Sequence, residues 1–192
     1  MLIRYDNKCY FCIKNYLMKE FLFLFLFLFC NLMNAEESIY DIRIKTLEGE
    51  SIDLNIFKGK KILFVNVASL CGFTKQYSDL QKLQDKYIDD LVVIGIPCNQ
   101  FGQQEPGSSK EIRSFCESNY NISFLITDKM EVKGDNKHPL YSWLTEKEKN
   151  GKVNSSVKWN FQKYLVGEEG VLLDYFYSIT NPLSSKILKH LN

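Results

Sequence analysis

The stretch KILFVNVASLCGFT, from Lys61 to Thr74, places a single cysteine where a strand passes into a helix. Lys61–Val67 is a run of mostly β-branched or apolar residues, which predicts a buried strand. Cys71 and Gly72 follow this run, and a helical pattern begins directly after them. A helix N-terminus carries unpaired amide donors and a partial positive charge, so it favours the thiolate form of a nearby cysteine. We therefore predict that Cys71 is a nucleophile.

Length and composition are typical of one domain with a full core. The chain has 192 residues, of which 45% are hydrophobic and 14% aromatic. Its formal net charge is only +1, which argues against a nucleic-acid partner. Three of the six cysteines, Cys71, Cys98 and Cys116, fall in the globular part. Three widely spaced cysteines make a poor disulfide scaffold and are better suited to a redox role.

Residues 1–35 are predicted to be a separate hydrophobic segment, before a domain at 36–192. The apolar run at 21–33 is too short for a stable membrane span, because thirteen residues reach only about 20 Å as a helix. This length is typical of a secretory signal, and Ala35 offers a small residue for cleavage. We predict a removable leader that directs the chain to the secretory pathway or an organelle. The alternatives are an uncleaved anchor that contacts the membrane through 21–33, an organelle-directing leader, and a mis-set start codon. If the leader is not used, we expect the protein to be cytoplasmic.

The rest of the chain alternates strands with helices. We predict a hairpin from 39–45 and 51–54, and strands at 61–67, 91–97, 159–166 and 171–177. Thr74 can cap a first helix, and Ser108 with Glu111 offers a capping box for a second one. Two further helices are expected at 138–149 and 184–191. Strand–helix–strand units imply parallel strands with a right-handed crossover, and the last two strands read as an antiparallel hairpin. The expected fold is α/β and thioredoxin-like, with a central mixed β-sheet flanked by helices and an N-terminal β-hairpin. Cys71 would then lie at the carboxyl end of the sheet, where α/β folds place their chemistry.

Three blocks of this sequence resemble signature blocks of the glutathione peroxidase family. They are NVAS at 66–69 with CGFT at 71–74, PCNQFGQQEPG at 97–107, and KWNF at 158–161. The resemblance covers residues 38 to 191 and says nothing about residues 1–37. It implies a thioredoxin-like fold and peroxide reduction at Cys71. It also implies a catalytic tetrad that falls here on Cys71, Gln104, Trp159 and Asn160.

The chemistry of these residue types agrees with that implication. Neutral donors suit a thiolate, and the Gln104 amide, the Trp159 indole and the Asn160 amide offer such donors. Attack of the Cys71 thiolate on a peroxide oxygen would give a sulfenic acid and release water or alcohol. Gln104 and Asn160 are the candidates for positioning the leaving oxygen.

Cys116 matches the place where two-Cys members of the family carry a resolving thiol. The resemblance therefore implies that Cys116 condenses with the Cys71 sulfenic acid to form a disulfide, which thioredoxin reduces. Cys116 shares a predicted helix face with Ile112 and Phe115, so we expect it to pack inward when reduced. A disulfide needs Cα atoms within about 7 Å, so the helix at 108–120 should partly unwind during turnover. The alternatives are a one-Cys peroxidase recycled by glutathione, and a peroxide sensor or redox relay of the same fold.

Other expectations concern substrate, assembly and metals. The segment at 146–157 is short and polar, which resembles the monomeric members of the family with an open site. An open site would admit lipid hydroperoxides as well as hydrogen peroxide. His138 and His190 have no partner at ligand spacing, so we predict no metal site. We also expect no cofactor. Cys98 ends a predicted strand and is assigned to structural packing.

Overall fold

The computed structural model describes residues 18, 19 and 38–191. Residues 18 and 19 are helical, and the rest of the predicted leader, with the apolar run at 21–33, lies outside the described residues. In the part of the chain that is described, no helix is both long enough and apolar enough to cross a membrane. The chain divides into two units, Met1–Glu36 and Glu37–Asn192, and the second unit contains the sheets.

A five-stranded mixed sheet forms the centre of the second unit. Its strands are β3 (Lys61–Val67), β4 (Leu91–Pro97), β5 (Leu125–Ile126), β6 (Lys163–Val166) and β7 (Leu172–Phe176), and a separate antiparallel hairpin is made by β1 (Arg43–Lys45) and β2 (Ser51–Asp53). The order in the sheet is β5-β4-β3-β6-β7. The pairs β3–β4 and β4–β5 are parallel, whereas β6 runs antiparallel to both β3 and β7. The predicted mixed sheet and N-terminal hairpin are confirmed.

Helices cover both faces of this sheet. They are α1 (Gln76–Lys86), α2 (Ser109–Tyr120), α3 (Pro139–Thr145), α4 (Lys147–Asn150) and α5 (Ser185–Leu188). Alternate side chains of a strand point to opposite faces. Ile62 and Phe64 of β3 therefore pack in one buried cluster with α3, and Leu63 and Val65 pack in another with α1 and α2. Burial on both faces explains why the apolar run in β3 is nearly continuous.

Some predicted boundaries were wrong for local reasons. The helix expected at 138–149 is two helices, because Glu146 adopts an extended conformation with φ −106° and ψ 119°. The strand expected from residue 39 begins at Arg43, because Ile39–Asp41 forms a 3-10 turn capped by Ser38. Strand β5 was not predicted, since two residues are too few to show an alternating pattern.

Candidate active site

Cys71 lies in the turn between β3 and α1, at the carboxyl end of the sheet. Its side chain is buried, and its Sγ accepts a hydrogen bond from the Phe73 backbone N–H at 3.5 Å. The Thr74 hydroxyl braces this turn, since it accepts from the Cys71 N–H at 3.0 Å and donates to the Ala68 carbonyl at 2.8 Å. The prediction that Thr74 caps α1 was wrong, because α1 begins at Gln76 and no side chain caps it. The sulfur does have a backbone amide donor, but that donor belongs to the turn and not to the N-terminus of α1 as expected.

Gln104 is brought back toward β3 by a tight turn in the loop after β4. Gly102 and Gln103 have φ values of 64° and 53°, so two successive residues adopt the left-handed conformation. Gln103 is strained, because the left-handed conformation costs a non-glycine residue on the order of 1 kcal/mol or more in conformational free energy. The Leu70 N–H donates to the Gln104 carbonyl at 3.0 Å. The turn therefore ties Gln104 to the residue that precedes Cys71.

Trp159 and Asn160 lie in a second turn, just before β6. The strand predicted from residue 159 begins only at Lys163, because Phe161 is left-handed with φ 64°. Asn160 is fully buried, and its Nδ2 donates to Gln104 Oε1 at 3.0 Å. Its Oδ1 is buried and has no hydrogen-bond partner in the part of the chain that the structure describes.

Trp159 is the exposed member of the predicted tetrad. Its side chain is 40% exposed, and its indole ring packs on Phe101 with 5.8 Å between ring centroids. The Phe101 carbonyl is also 3.5 Å from Asn160 Nδ2, so Phe101 links the two residues. Within residues 38–191, neither the Trp159 indole nitrogen nor the Gln104 amide nitrogen donates to a protein group. Both donors are available to a substrate.

Two further buried residues support this region, and neither was singled out from the sequence. Asn66 of β3 donates from Nδ2 to the Trp159 carbonyl and accepts at Oδ1 from the Gln162 N–H, both at 3.1 Å. Its position as the one polar residue within the otherwise apolar run 62–67 of β3 was a usable signal. Glu105 accepts a hydrogen bond from Ser69 Oγ at 3.1 Å. Burial raises the pKa of Glu105, and hydrogen bonds from Ser69 oppose that rise. The residues around Glu105 in the sequence do not indicate that this carboxyl is buried.

Cys116 lies in α2 and faces the core, as predicted. It is as fully buried as Ile112 on the same face. Burial raises the pKa of Cys116 to about 11. Cys71 and Cys116 belong to the same buried cluster, yet both are free thiols in this structure. Cys98 is also free and fully buried at the end of β4, which agrees with its assignment to packing.

The two histidines have neighbours of their own. His138 Nδ1 accepts from the Leu140 N–H at 3.2 Å, so His138 caps α3. His190 Nε2 is 3.4 Å from the Asp174 carboxylate. No group of three or more potential ligands that could hold a metal occurs among the described residues.

A largely apolar pocket of about 210 Å³ opens next to the Cys71 turn. It lies between that turn and α2, and its walls are Ser69, Leu70, Glu105, Pro106, Gly107, Glu111, Ile112 and Phe115. Leu70 is 64% exposed at its rim. The pocket therefore places hydrocarbon surface one residue away from the thiol.

A sequence model of the glutathione peroxidase family matches residues 39–145, which is more than half of the chain. The chain belongs to the glutathione peroxidase family. It is 49% identical over 141 residues to glutathione peroxidase homolog BsaA of Staphylococcus epidermidis, covering 73% of this chain and 89% of that protein. It is 45% identical over 148 residues to glutathione peroxidase-like peroxiredoxin 2 of Saccharomyces cerevisiae, covering 77% and 91%. This glutathione peroxidase homologue is therefore an oxidoreductase, a thiol peroxidase that acts on hydroperoxides.

Solved structures agree with the family and with the predicted fold. The crystal structure of Trgpx in apo form is 35% identical and superposes with a TM-score of 0.63, covering 82% of this chain and 97% of that one. The α/β, thioredoxin-like fold with a mixed central sheet flanked by helices is thus confirmed for this member of the glutathione peroxidase family.

Proposed function

We propose that Cys71 is the peroxide-reducing residue of this peroxidase and that Gln104, Trp159 and Asn160 assist it. The observation that carries the proposal is the hydrogen-bonded Gln104–Asn160 pair, tied through Leu70 to the turn that holds the thiol. The Cys71 sulfur forms a bond to one peroxide oxygen while the O–O bond breaks. Sulfur is oxidised to the sulfenic acid, and the other oxygen leaves as water or alcohol after taking up a proton.

The open donors of the site suit the leaving oxygen. Negative charge develops on that oxygen as the O–O bond breaks, and fixed N–H groups stabilise such charge in a partly dry site. Among the described residues, the N–H groups of the Gln104 amide and the Trp159 indole find no protein acceptor. Asn160 donates a hydrogen bond to the side-chain oxygen of Gln104 and so fixes the orientation of that amide. The amide nitrogen of Gln104 points away from Asn160 and can donate to the leaving oxygen.

The second step of the proposal joins Cys71 to Cys116. The Cys116 sulfur attacks the sulfenic sulfur, an S–S bond forms, and the hydroxyl leaves as water with the thiol proton. With a pKa of about 11, Cys116 is almost entirely protonated near neutral pH while it stays in the core. Partial unwinding of α2 would expose the thiol and remove the burial that raises its pKa. Both cysteines lie in one cluster, so the chain between them need not cross the sheet.

A dithiol reductant completes the proposed cycle. An intramolecular disulfide is the natural substrate of a dithiol protein, and we assign thioredoxin this role, with glutathione as the alternative. The name of the yeast relative, a peroxiredoxin, favours recycling through thiols. A monomer with an open site is part of the proposal, since the segment at 146–157 has only the four-residue helix α4.

Mapping of the oxidised cysteines tests the proposal directly. The reduced protein receives one equivalent of hydrogen peroxide and is digested for mass spectrometry. We expect a Cys71–Cys116 disulfide that thioredoxin reduces faster than glutathione does. A glutathione adduct on Cys71 would favour the one-Cys cycle instead. Stoichiometric oxidation with little thioredoxin-coupled flux would favour the sensor or relay. The Cys98→Ser variant is the control, because the disulfide should form in it unchanged.

We also propose that the apolar pocket beside Leu70 holds the hydrocarbon chain of organic and lipid hydroperoxides. Leu70→Ser should lower kcat/KM for a fatty-acid hydroperoxide by about 10-fold and leave that for hydrogen peroxide within about 2-fold. A 10-fold loss corresponds to about 1.4 kcal/mol of binding free energy, which is the size expected for the lost apolar contacts of one leucine side chain. Ile179→Ser is the matched control, since Ile179 is 80% exposed and is not a wall of the pocket. Equal losses on both substrates would contradict a tail-binding pocket.

A further inference from the structure

Lys163 is a fully buried lysine beneath the Trp159–Asn160 turn. Its Nζ donates to three oxygens from separate parts of the chain. These are Gln76 Oε1 at 2.5 Å, the Phe161 carbonyl at 2.8 Å and the Thr180 carbonyl at 2.7 Å. The mechanism above does not use this group, and a buried lysine is rare unless it has a specific partner.

The geometry around Nζ is that of an ammonium ion. An ammonium has three N–H donors, one for each oxygen, whereas a neutral amine has two donors and a lone pair that would face the third oxygen. Burial lowers the pKa of Lys163 to about 7. The three acceptors favour the charged form and oppose that effect. The buried Lys163 ammonium group, which is costly to remove from water, therefore has a hydrogen-bond acceptor for each of its three donors.

Two of the three acceptors, Gln76 and Phe161, connect the two halves of the active site. Gln76 is the first residue of α1, the helix that follows the Cys71 turn. Phe161 is the left-handed residue that directly follows Asn160. Its N–H donates to the Asn66 carbonyl, so the Phe161 peptide groups are held on one side by β3 and on the other by Lys163.

We propose that Lys163 is a positioning residue for peroxide reduction, because its ammonium group joins the start of α1 to the Phe161 turn and thereby sets Trp159 and Asn160 relative to Cys71. The inference rests on the proposed roles of Trp159 and Asn160. It assigns Lys163 no contact with the peroxide. Its effect is on geometry, and a misplacement of about 1 Å in an active site can cost about 100-fold in rate.

The test replaces Lys163 with methionine, which keeps the unbranched apolar stem of the side chain and removes the ammonium group with its charge and donors. The rate of Cys71 oxidation by hydrogen peroxide, measured in a single turnover, should fall by about 10- to 100-fold. Trp159 should become more accessible to quenching by acrylamide. That signal is isolated in a Trp143→Phe background, because the chain has two tryptophans and Trp143 is buried.

Gln84→Met is the matched control. Gln84 is also buried in α1, and it donates to the Leu91 carbonyl at 3.0 Å and accepts from the Val93 N–H at 2.7 Å. These bonds lie at the opposite end of the sheet from the Cys71 turn, so the variant loses buried hydrogen bonds without touching the site. Its oxidation rate and its Trp159 quenching should stay within about 2-fold of the unmodified protein, whatever its loss of stability.

The proposal is overturned if folded Lys163→Met oxidises within about 2-fold of the unmodified protein with unchanged Trp159 quenching. If Lys163→Met does not fold, the Gln76→Met variant is used instead, because it removes one acceptor and leaves the lysine in place. An unchanged rate of Cys71 oxidation and unchanged Trp159 quenching in Gln76→Met would also overturn the proposal. Trp159→Phe and Asn160→Ala are measured alongside. If these two leave the rate unchanged, the proposed roles of Trp159 and Asn160 fail, and the quenching of Trp159 still decides whether Lys163 positions the turn.

Discussion

Replacing Cys71 with serine is expected to lower peroxidase turnover by at least about 1,000-fold while the protein stays folded. A serine hydroxyl is not ionised near neutral pH and is not oxidised by peroxide, so the first covalent step is lost. The smaller oxygen still fits the buried site and can accept from the Phe73 N–H. Peroxide consumption coupled to thioredoxin and its reductase gives the rate, and circular dichroism reports the fold.

Cys98→Ser provides the control for that experiment. Cys98 is fully buried at the end of β4, and burial raises its pKa, so its substitution costs stability rather than chemistry. We expect this variant to keep turnover within about 2-fold. Residual activity above about one hundredth of the original in Cys71→Ser would place the reacting thiol elsewhere.

The second large effect is expected for Cys116→Ser. The variant should consume one equivalent of peroxide at the normal rate and then stop, with thioredoxin-coupled turnover lowered by about 100-fold or more. The reason is that the Cys71 sulfenic acid finds no second thiol and offers thioredoxin no disulfide. A sulfenic-acid reagent such as dimedone should label Cys71 in this variant and not in the unmodified protein.

Comparing the first equivalent of peroxide with continued turnover in Cys116→Ser distinguishes the two-Cys cycle from the one-Cys cycle. If Cys116→Ser turns over normally with thioredoxin, Cys116 is not the resolving residue. If it turns over normally with glutathione alone, Cys71 is recycled directly in a one-Cys cycle. Because the first equivalent of peroxide is consumed in every one of these cases, that burst shows that the Cys71 site itself is intact.

The proposed disulfide requires α2 to unwind while the Cys71 turn stays fixed, and the two segments are held in different ways. The Cys71 turn is braced by the Thr74 hydroxyl, which bonds to the Ala68 carbonyl and to the Cys71 N–H. Helix α2 is held at its start by a capping box, in which the Ser108 and Glu111 side chains bond to each other's backbone N–H groups. Its inward face packs through side-chain contacts such as Tyr77 against Phe115, with 6.5 Å between ring centroids. Unwinding of α2 breaks packing contacts of this kind, whereas the Cys71 turn is held by hydrogen bonds within residues 68–74.

Much of this fold could be predicted because its signals are local. The apolar run of β3 and the β4 run each match the observed strand from first to last residue, since burial on both faces leaves few polar interruptions. The capping box at Ser108 also marked the start of α2 correctly, because the two residues that make it are three apart in sequence. Where conformation depended on distant partners, prediction failed: the chain from residue 159 reads as strand but turns at Phe161.

The sequence by itself determined the position of the thiol at a strand–helix junction, the mixed sheet, and the residue types of the site. Short-range periodicity and capping carry that information. Only the tertiary structure decided that Gln104 pairs with Asn160, that Glu105 is buried, and that Lys163 spans the two halves of the site. Those outcomes join residues up to 87 positions apart, as for Lys163 and Gln76, and they depend on where the sheet places each loop. A buried polar group must find its partners in the folded chain, and no local pattern records which partners those are.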